Sequence, residues 1–229
     1  GFASQTAMHN EGCLFANDLA GKRMTPLAAR LDAGIVSHAV LFNVAAERLP
    51  HYLDPVFDRV LADVPCSGLG LFDAIDENRH RRRKPRSDRI LLSGARLLRV
   101  GGRLVYSTCS LNPDENEGVV SQFLARYPFR LVEIPDIAGI HFRPGLTSWQ
   151  GCEYGEEMTR ARRVTPWEND TQGFFMAVLE KTDELPERLS YPPRATEPVR
   201  TLAPDDEAVA PILANIERYY GIDPAAVDS

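Results

Sequence analysis

Short apolar runs alternate with stretches of helical period along the chain, the pattern of an α/β domain built on a mostly parallel sheet. The runs 13–17, 39–43, 57–63 and 103–108 read as strands. Segments 25–31 and 87–98 read as helices, the second carrying Ile90, Leu91, Ala95, Leu97 and Leu98 on one apolar stripe, with Gly101 and Gly102 as its stop. A helix over 114–127 and a closing pair of strands, 129–134 and 173–181, come next, while 135–170 shows no regular period. Pro186, Pro192, Pro193, Pro198 and Pro204 then give a linker composition, and a short amphipathic helix is expected over 206–220. The expected organisation is one domain over 1–181 and a Pro-rich linker with a terminal helix over 182–229. A parallel nucleotide-binding sheet opens with a strand and a glycine loop. Here Gly1 already stands at what reads as a helix N-terminus, so the first strand of that sheet is expected to be missing.

Composition fits this picture. With 229 residues, 44% hydrophobic and 25% charged, the chain has the apolar content of one sizeable globular domain with an appendage. A formal charge of -6 excludes a chain that holds nucleic acid by bulk positive charge, so any basic surface is local. No apolar run approaches the ~20 residues of a membrane-spanning helix, and no signal peptide opens the chain. A soluble intracellular protein with no membrane partner is the expectation. Cys13, Cys66, Cys109 and Cys152 show no CxxC or Cys/His ligand spacing, and His9, His38, His51, His80 and His141 show none either. Neither a metal nor a disulfide framework is therefore expected.

Three strand ends carry polar groups suited to chemistry. Asp18 comes after the apolar stretch 13–16, where such sheets place an acid on a ribose hydroxyl pair, although a helix cap explains it equally well. Asp63, Val64, Pro65, Cys66, Ser67 and Gly68 lie at the end of the strand 57–63, at the edge where open sheets bind ligands. A buried thiol in a tight turn is the bland alternative for Cys66. Tyr106, Ser107, Thr108, Cys109 and Ser110 close the next strand, so two thiols leave consecutive strands at one sheet edge. Adjacent strands lie ~5 Å apart, so both can serve one substrate. A pyrimidine gives a thiolate something to do. Carbon 5 of cytosine becomes nucleophilic once a soft nucleophile adds to carbon 6 and an acid at ring nitrogen 3 takes up the charge.

The segments ADVPCSGLG and VYSTCSLNPDENEGVV resemble the two cysteine motifs of the Sun-type RNA cytosine-5 methyltransferases. The stretch RVTPWENDTQGFFMAVLEK, with Thr171, Gly173, Phe174 and Phe175, resembles that family's closing strand. The region 203–224 is similar to the segment after the catalytic domain in the eukaryotic tRNA-methylating branch. The resemblance implies a Rossmann-like methyltransferase sandwich, S-adenosylmethionine as cofactor and RNA, tRNA above all, as partner, with a nuclear location. It implies Cys109 as nucleophile, Cys66 as the thiol that assists product release and Asp63 as the acid on the target base. Gly1, Asp18, Asn43, Asp63 and Pro65 are the cofactor-binding candidates. Phe2 stands where the family usually has Lys, and Asn43 where it places an acid near adenine. Pro113, Asp114, Glu115 and Glu117 fit the motif that continues past the nucleophile.

A basic run, with Arg79, Arg81, Arg82, Arg83, Lys84 and Arg86, comes after the first cysteine motif and is the candidate phosphate contact, with a solvated loop as its alternative. Two rival functions remain at this point. One is an exocyclic-amine methyltransferase, which needs no nucleophile and which Val64 and Cys66 argue against. The other is a truncated methyltransferase domain kept as a non-catalytic RNA-binding module.

Overall fold

The computed structural model describes residues 12–33, 39–68, 87–186, 207 and 209–221. The chain divides into two units, Gly1–Arg188 and Leu189–Ser229. In the second, one helix is described, Ala210–Tyr220.

The first unit is a mixed α/β fold in which β1 (Leu14–Asn17), α1 (Gly21–Ala33) and β2 (Ala39–Phe42) make one parallel crossover. β3 (Phe57–Asp63), α2 (Ser87–Leu97) and β4 (Leu98–Thr108) make a second, again with parallel strands. α3 (Glu117–Leu124) and β5 (Phe129–Val132) come after them. Then come β6 (Phe142–Pro144), β7 (Ser148–Trp149), β8 (Cys152–Glu153), β9 (Arg162–Val164), the single turn α4 (Pro166–Asn169) and β10 (Phe174–Lys181). The main sheet runs β3-β4-β10-β9-β6, with β5 also on β10, and all pairings of β10 are antiparallel. Among the described residues no ladder joins β1 to β3, so β1-β2 stands as its own sheet. Phe15 of β1 nevertheless meets Phe57 of β3 edge to face, with ring centroids 5.0 Å apart. The expectation of a missing first strand concerns the start of the chain, where residues 1–11 lie outside the described residues.

The core lies between the main sheet and α2 and α3. Leu91 and Ala95 of α2, Leu104 and Tyr106 of β4, Val120 and Phe123 of α3 and Phe175, Ala177 and Leu179 of β10 are buried together. β10 alternates strictly, with every second side chain buried from Phe175 to Lys181, as a strand with one core face must. α2 approaches the sheet closely because Gly94 has no side chain: a Cβ there would lie 2.9 Å from Leu104 Cδ1.

Two expectations need correction. Gly101 and Gly102 do not stop the helix; α2 ends at Leu97, and both glycines lie inside β4. Phe57 pairs with Leu98 and Arg59 with Arg103, so β3 advances two residues (57 to 59) while β4 advances five (98 to 103). The extra residues form a bulge in which Gly101 takes a φ of +78°, a conformation costly for other residues. The helix expected over 114–127 is a 3-10 turn, Pro113–Glu115, and then the shorter α3. Asn116, with a φ of -112° and ψ of -97°, is the break between them. Of the Pro-rich linker, residues 187–206 lie outside the described residues.

Candidate active site

Parallel pairing of β3 with β4 sets Asp63 opposite Ser107, and the Val64 amide donates to the Ser107 carbonyl at 3.1 Å. Both chains therefore leave the sheet together, and each reaches a cysteine within three residues. The Cys66 and Cys109 sulfurs are 2.9 Å apart, and both residues are free thiols in half-buried positions. Burial, then the hydrogen bond with Cys109, pushes the Cys66 thiol up to about 12, while the Gly68 amide opposes that rise. Cys66 consequently keeps its proton at neutral pH and can donate it toward the Cys109 sulfur.

The turn after Cys109 holds this pair from below. Asn112 caps it by accepting from the Asp114 amide at 3.1 Å, and Pro113 supplies the fixed φ of a first helical position. Three residues of the turn then face three different segments. Glu115 accepts from the Ser67 amide at 2.9 Å and from Ser67 Oγ at 2.6 Å, beside Cys66. Asn116 accepts from Thr108 Oγ1 at 2.6 Å and donates to the Ser110 carbonyl at 2.9 Å, on both sides of Cys109. Glu117, fully buried, pairs with Arg163 Nη1 at 2.6 Å and accepts from the Leu146 amide at 3.0 Å. Arg163 also donates to the Leu111 carbonyl. Tyr106 closes the arrangement by donating to the Glu115 carbonyl at 2.5 Å.

The remaining expected site residues fall at strand ends of the same kind. Asp63 is exposed at the end of β3, with Ser107 Oγ 3.4 Å from its carboxylate, and Pro65 is exposed beyond it. Asp18 and Asn43 meet at the ends of β1 and β2, where Asn43 Nδ2 donates to the Asp18 carbonyl at 2.6 Å. Asn17 ties the same ends together by exchanging two hydrogen bonds with the Val44 backbone. The Asp18 carboxylate accepts from the Ala20 amide at 2.7 Å and lies 3.3 Å from Arg23. It therefore does cap the turn into α1, and it also remains part-exposed with acceptor capacity left. Acceptors at the ends of parallel strands fit the hydroxyls of a nucleoside cofactor. Gly1 and the basic candidates Arg79, Arg81, Arg82, Arg83, Lys84 and Arg86 lie outside the described residues.

Sequence reasoning missed the work of Ser67, Tyr106, Ser110, Asn116 and Arg163. Of these only Asn116 lies in the polar string 112–117 close after a cysteine, and nothing local says which segments the five side chains reach.

Comparison with known proteins identifies the family. The family model described as 16S rRNA methyltransferase RsmB/F matches residues 3–180. The chain is 33% identical over 186 residues to the tRNA (cytosine(49)-C(5))-methyltransferase of Pyrococcus abyssi, covering 76% of this chain and 57% of that protein. It is 31% identical over 255 residues to the multisite-specific tRNA:(cytosine-C(5))-methyltransferase trm4b of Schizosaccharomyces pombe, covering 86% of this chain and 37% of that protein. A methyltransferase homolog protein from Pyrococcus horikoshii superimposes with a TM-score of 0.66 at 32% identity, over 76% of this chain and 55% of that one. The chain thus spans about half or less of the length of these relatives. With its fold, its paired thiols and this match over most of its length, the chain belongs to the RsmB/F family of RNA cytosine-C5 methyltransferases, whose cofactor is S-adenosylmethionine.

Proposed function

We propose that the protein methylates carbon 5 of cytosine in RNA, with tRNA as substrate, through a covalent adduct on Cys109. The observation that carries this reading is the pair of sulfurs 2.9 Å apart at the ends of adjacent parallel strands. Two thiols so placed suit a reaction that must both form and release a thioether. When bound, S-adenosylmethionine supplies an electrophilic methyl group; Asp18 and Asn43 would hold its nucleoside portion, with Asp63 and Pro65 beside it. The tRNA substrate is supported by the two relatives named for tRNA.

Cys109 adds as thiolate to carbon 6 of the cytosine, and Asp63 provides the proton and hydrogen bond at nitrogen 3 that accept the displaced charge. The neutral Cys66 thiol donates to the Cys109 sulfur before addition. Once Cys109 has become a thioether, that hydrogen bond and the mutual charge repulsion are weakened. Both raised Cys66, so it now releases its proton to solvent more readily, and the thiolate left behind is the base at carbon 5. It takes the carbon 5 proton, the electrons of that C–H bond re-form the ring double bond, the carbon 6–sulfur bond breaks to release Cys109 as thiolate, and nitrogen 3 returns its proton to Asp63.

The test is transfer of labelled methyl from S-adenosylmethionine to unmodified tRNA by the full-length enzyme. Labelling at carbon 5 of cytosine, loss of activity by at least about a thousandfold in Cys109→Ala and a stable protein–RNA adduct in Cys66→Ala are expected. Full labelling by Cys109→Ala would remove the nucleophile assignment, and labelling on the exocyclic amine would replace the reaction.

A further inference from the structure

Residues 64–68, which carry Cys66, belong to no helix or strand. Their position is set by a few hydrogen bonds. The Val64 amide is tied to β4, and the segment is then held at Ser67, where one carboxylate takes both the amide and the hydroxyl. That carboxylate is Glu115, a buried acid with no cation within ion-pair distance among the described residues. A buried carboxylate directed onto a single serine is a costly way to satisfy a loop, so its position is informative.

The turn that offers Glu115 is fixed independently of Cys66. Asn112 caps it, Tyr106 holds the Glu115 carbonyl and Asn116 grips the backbone around Cys109. Ser67 Oγ also lies 3.3 Å from Ser110 Oγ, on the residue directly after Cys109. A closed path therefore runs from Cys66 through Ser67, Glu115, Asn116 and Ser110 to Cys109. Its two halves meet in one rigid turn.

We propose that Glu115 is a positioning residue for the methyl-transfer reaction, holding the Cys66 thiol against the Cys109 sulfur through its two bonds to Ser67. The proposal rests on the reading of Cys66 and Cys109 as the reacting pair. Its mechanism is geometric rather than electrostatic. Glutamine at this position keeps the same reach, with its oxygen accepting from the Ser67 amide and its nitrogen donating to Ser67 Oγ. Alanine keeps neither.

The proximity of the thiols can be read without any methyl transfer. In a Cys13→Ser, Cys152→Ser background, diamide takes up two thiol hydrogens as a Cys66–Cys109 sulfur–sulfur bond forms, and mass spectrometry tracks the rate. Glu115→Ala is expected to slow this cross-link by about tenfold or more, and to lower kcat for tRNA methylation by about tenfold to a hundredfold with the KM for S-adenosylmethionine unchanged. Glu115→Gln is expected to stay within about threefold of the parent in both. Ser67→Ala, which removes one arm and leaves the carboxylate, is expected to fall between them and covers the case in which Glu115→Ala does not fold. Unchanged cross-linking in Glu115→Ala and Ser67→Ala overturns the proposal, as does a Gln variant as impaired as Ala, which would make charge rather than position the operative property. Because the cross-link needs neither cofactor nor RNA, a failure of the methyltransferase reading leaves this readout intact.

Discussion

Cys66 and Tyr106 hold their protons to high pH for the same first reason, burial that penalises the anion. An unfolded chain releases these protons near the ordinary values of 9.0 and 10.0. The folded protein retains them, Cys66 up to about 12. The folded state therefore binds more protons than the unfolded state above pH 9, so this stabilisation is complete below that pH and declines as pH rises toward about 12. Urea midpoints measured between pH 8 and 11 are expected to fall, and to fall less steeply in Cys66→Ala. Tyr106→Phe is expected to flatten the profile further. At neutral pH it should also lower stability by about 1 to 3 kcal/mol, because the Glu115 carbonyl loses its donor. An unchanged alkaline slope in both variants would mean that other groups govern it.

At the scale of elements, the turn 113–117 links segments far apart in the chain, and its strongest tie is Glu117 to Arg163. Glu117 is fully buried and Arg163 nearly so, joining the start of α3 to β9. Removing one member of such a pair strands the other charge. Arg163→Met is expected to cost about 3 to 5 kcal/mol in a denaturant titration, whereas adding Glu117→Leu should recover most of that loss. Equal stability of the single and double variants would show that Glu117 finds other partners. The elements themselves were unevenly legible. β3 is found over the expected residues, and β10 was recognisable as the apolar run FFMAVL, whose alternate burial along one core face only the structure shows. The start of β4 was hidden because a glycine pair looks like a helix stop, while here it serves a bulge that depends on the partner strand. Residues 135–170 hold four strands of two or three residues, too short to show any period.

For the molecule as a whole, the informative surface is the open flank of β3. That strand is paired on one side only among the described residues, and Leu61 is 61% exposed on it. Strands of a parallel sheet normally lie buried among neighbours. Leu61→Ser on that flank is expected to change stability by no more than about 0.5 kcal/mol in a denaturant titration, since the side chain is already largely in water. A larger loss would show that this flank is covered in solution. No helix among the described residues is long and apolar enough to cross a membrane.

The sequence by itself determined the alternation of strands and helices and the two cysteines at consecutive strand ends, because residue type and period are local properties. It also carried the two motifs that place the chain in its family. Only the tertiary structure decided that the sulfurs come within 2.9 Å, that Asp18 caps α1 as well as standing at a strand end, and that Glu115, Asn116 and Glu117 each brace a different segment. Those contacts join residues up to 48 positions apart beside the thiols. They arise from strand register and from the angle at which a turn leaves the sheet, which no local pattern encodes.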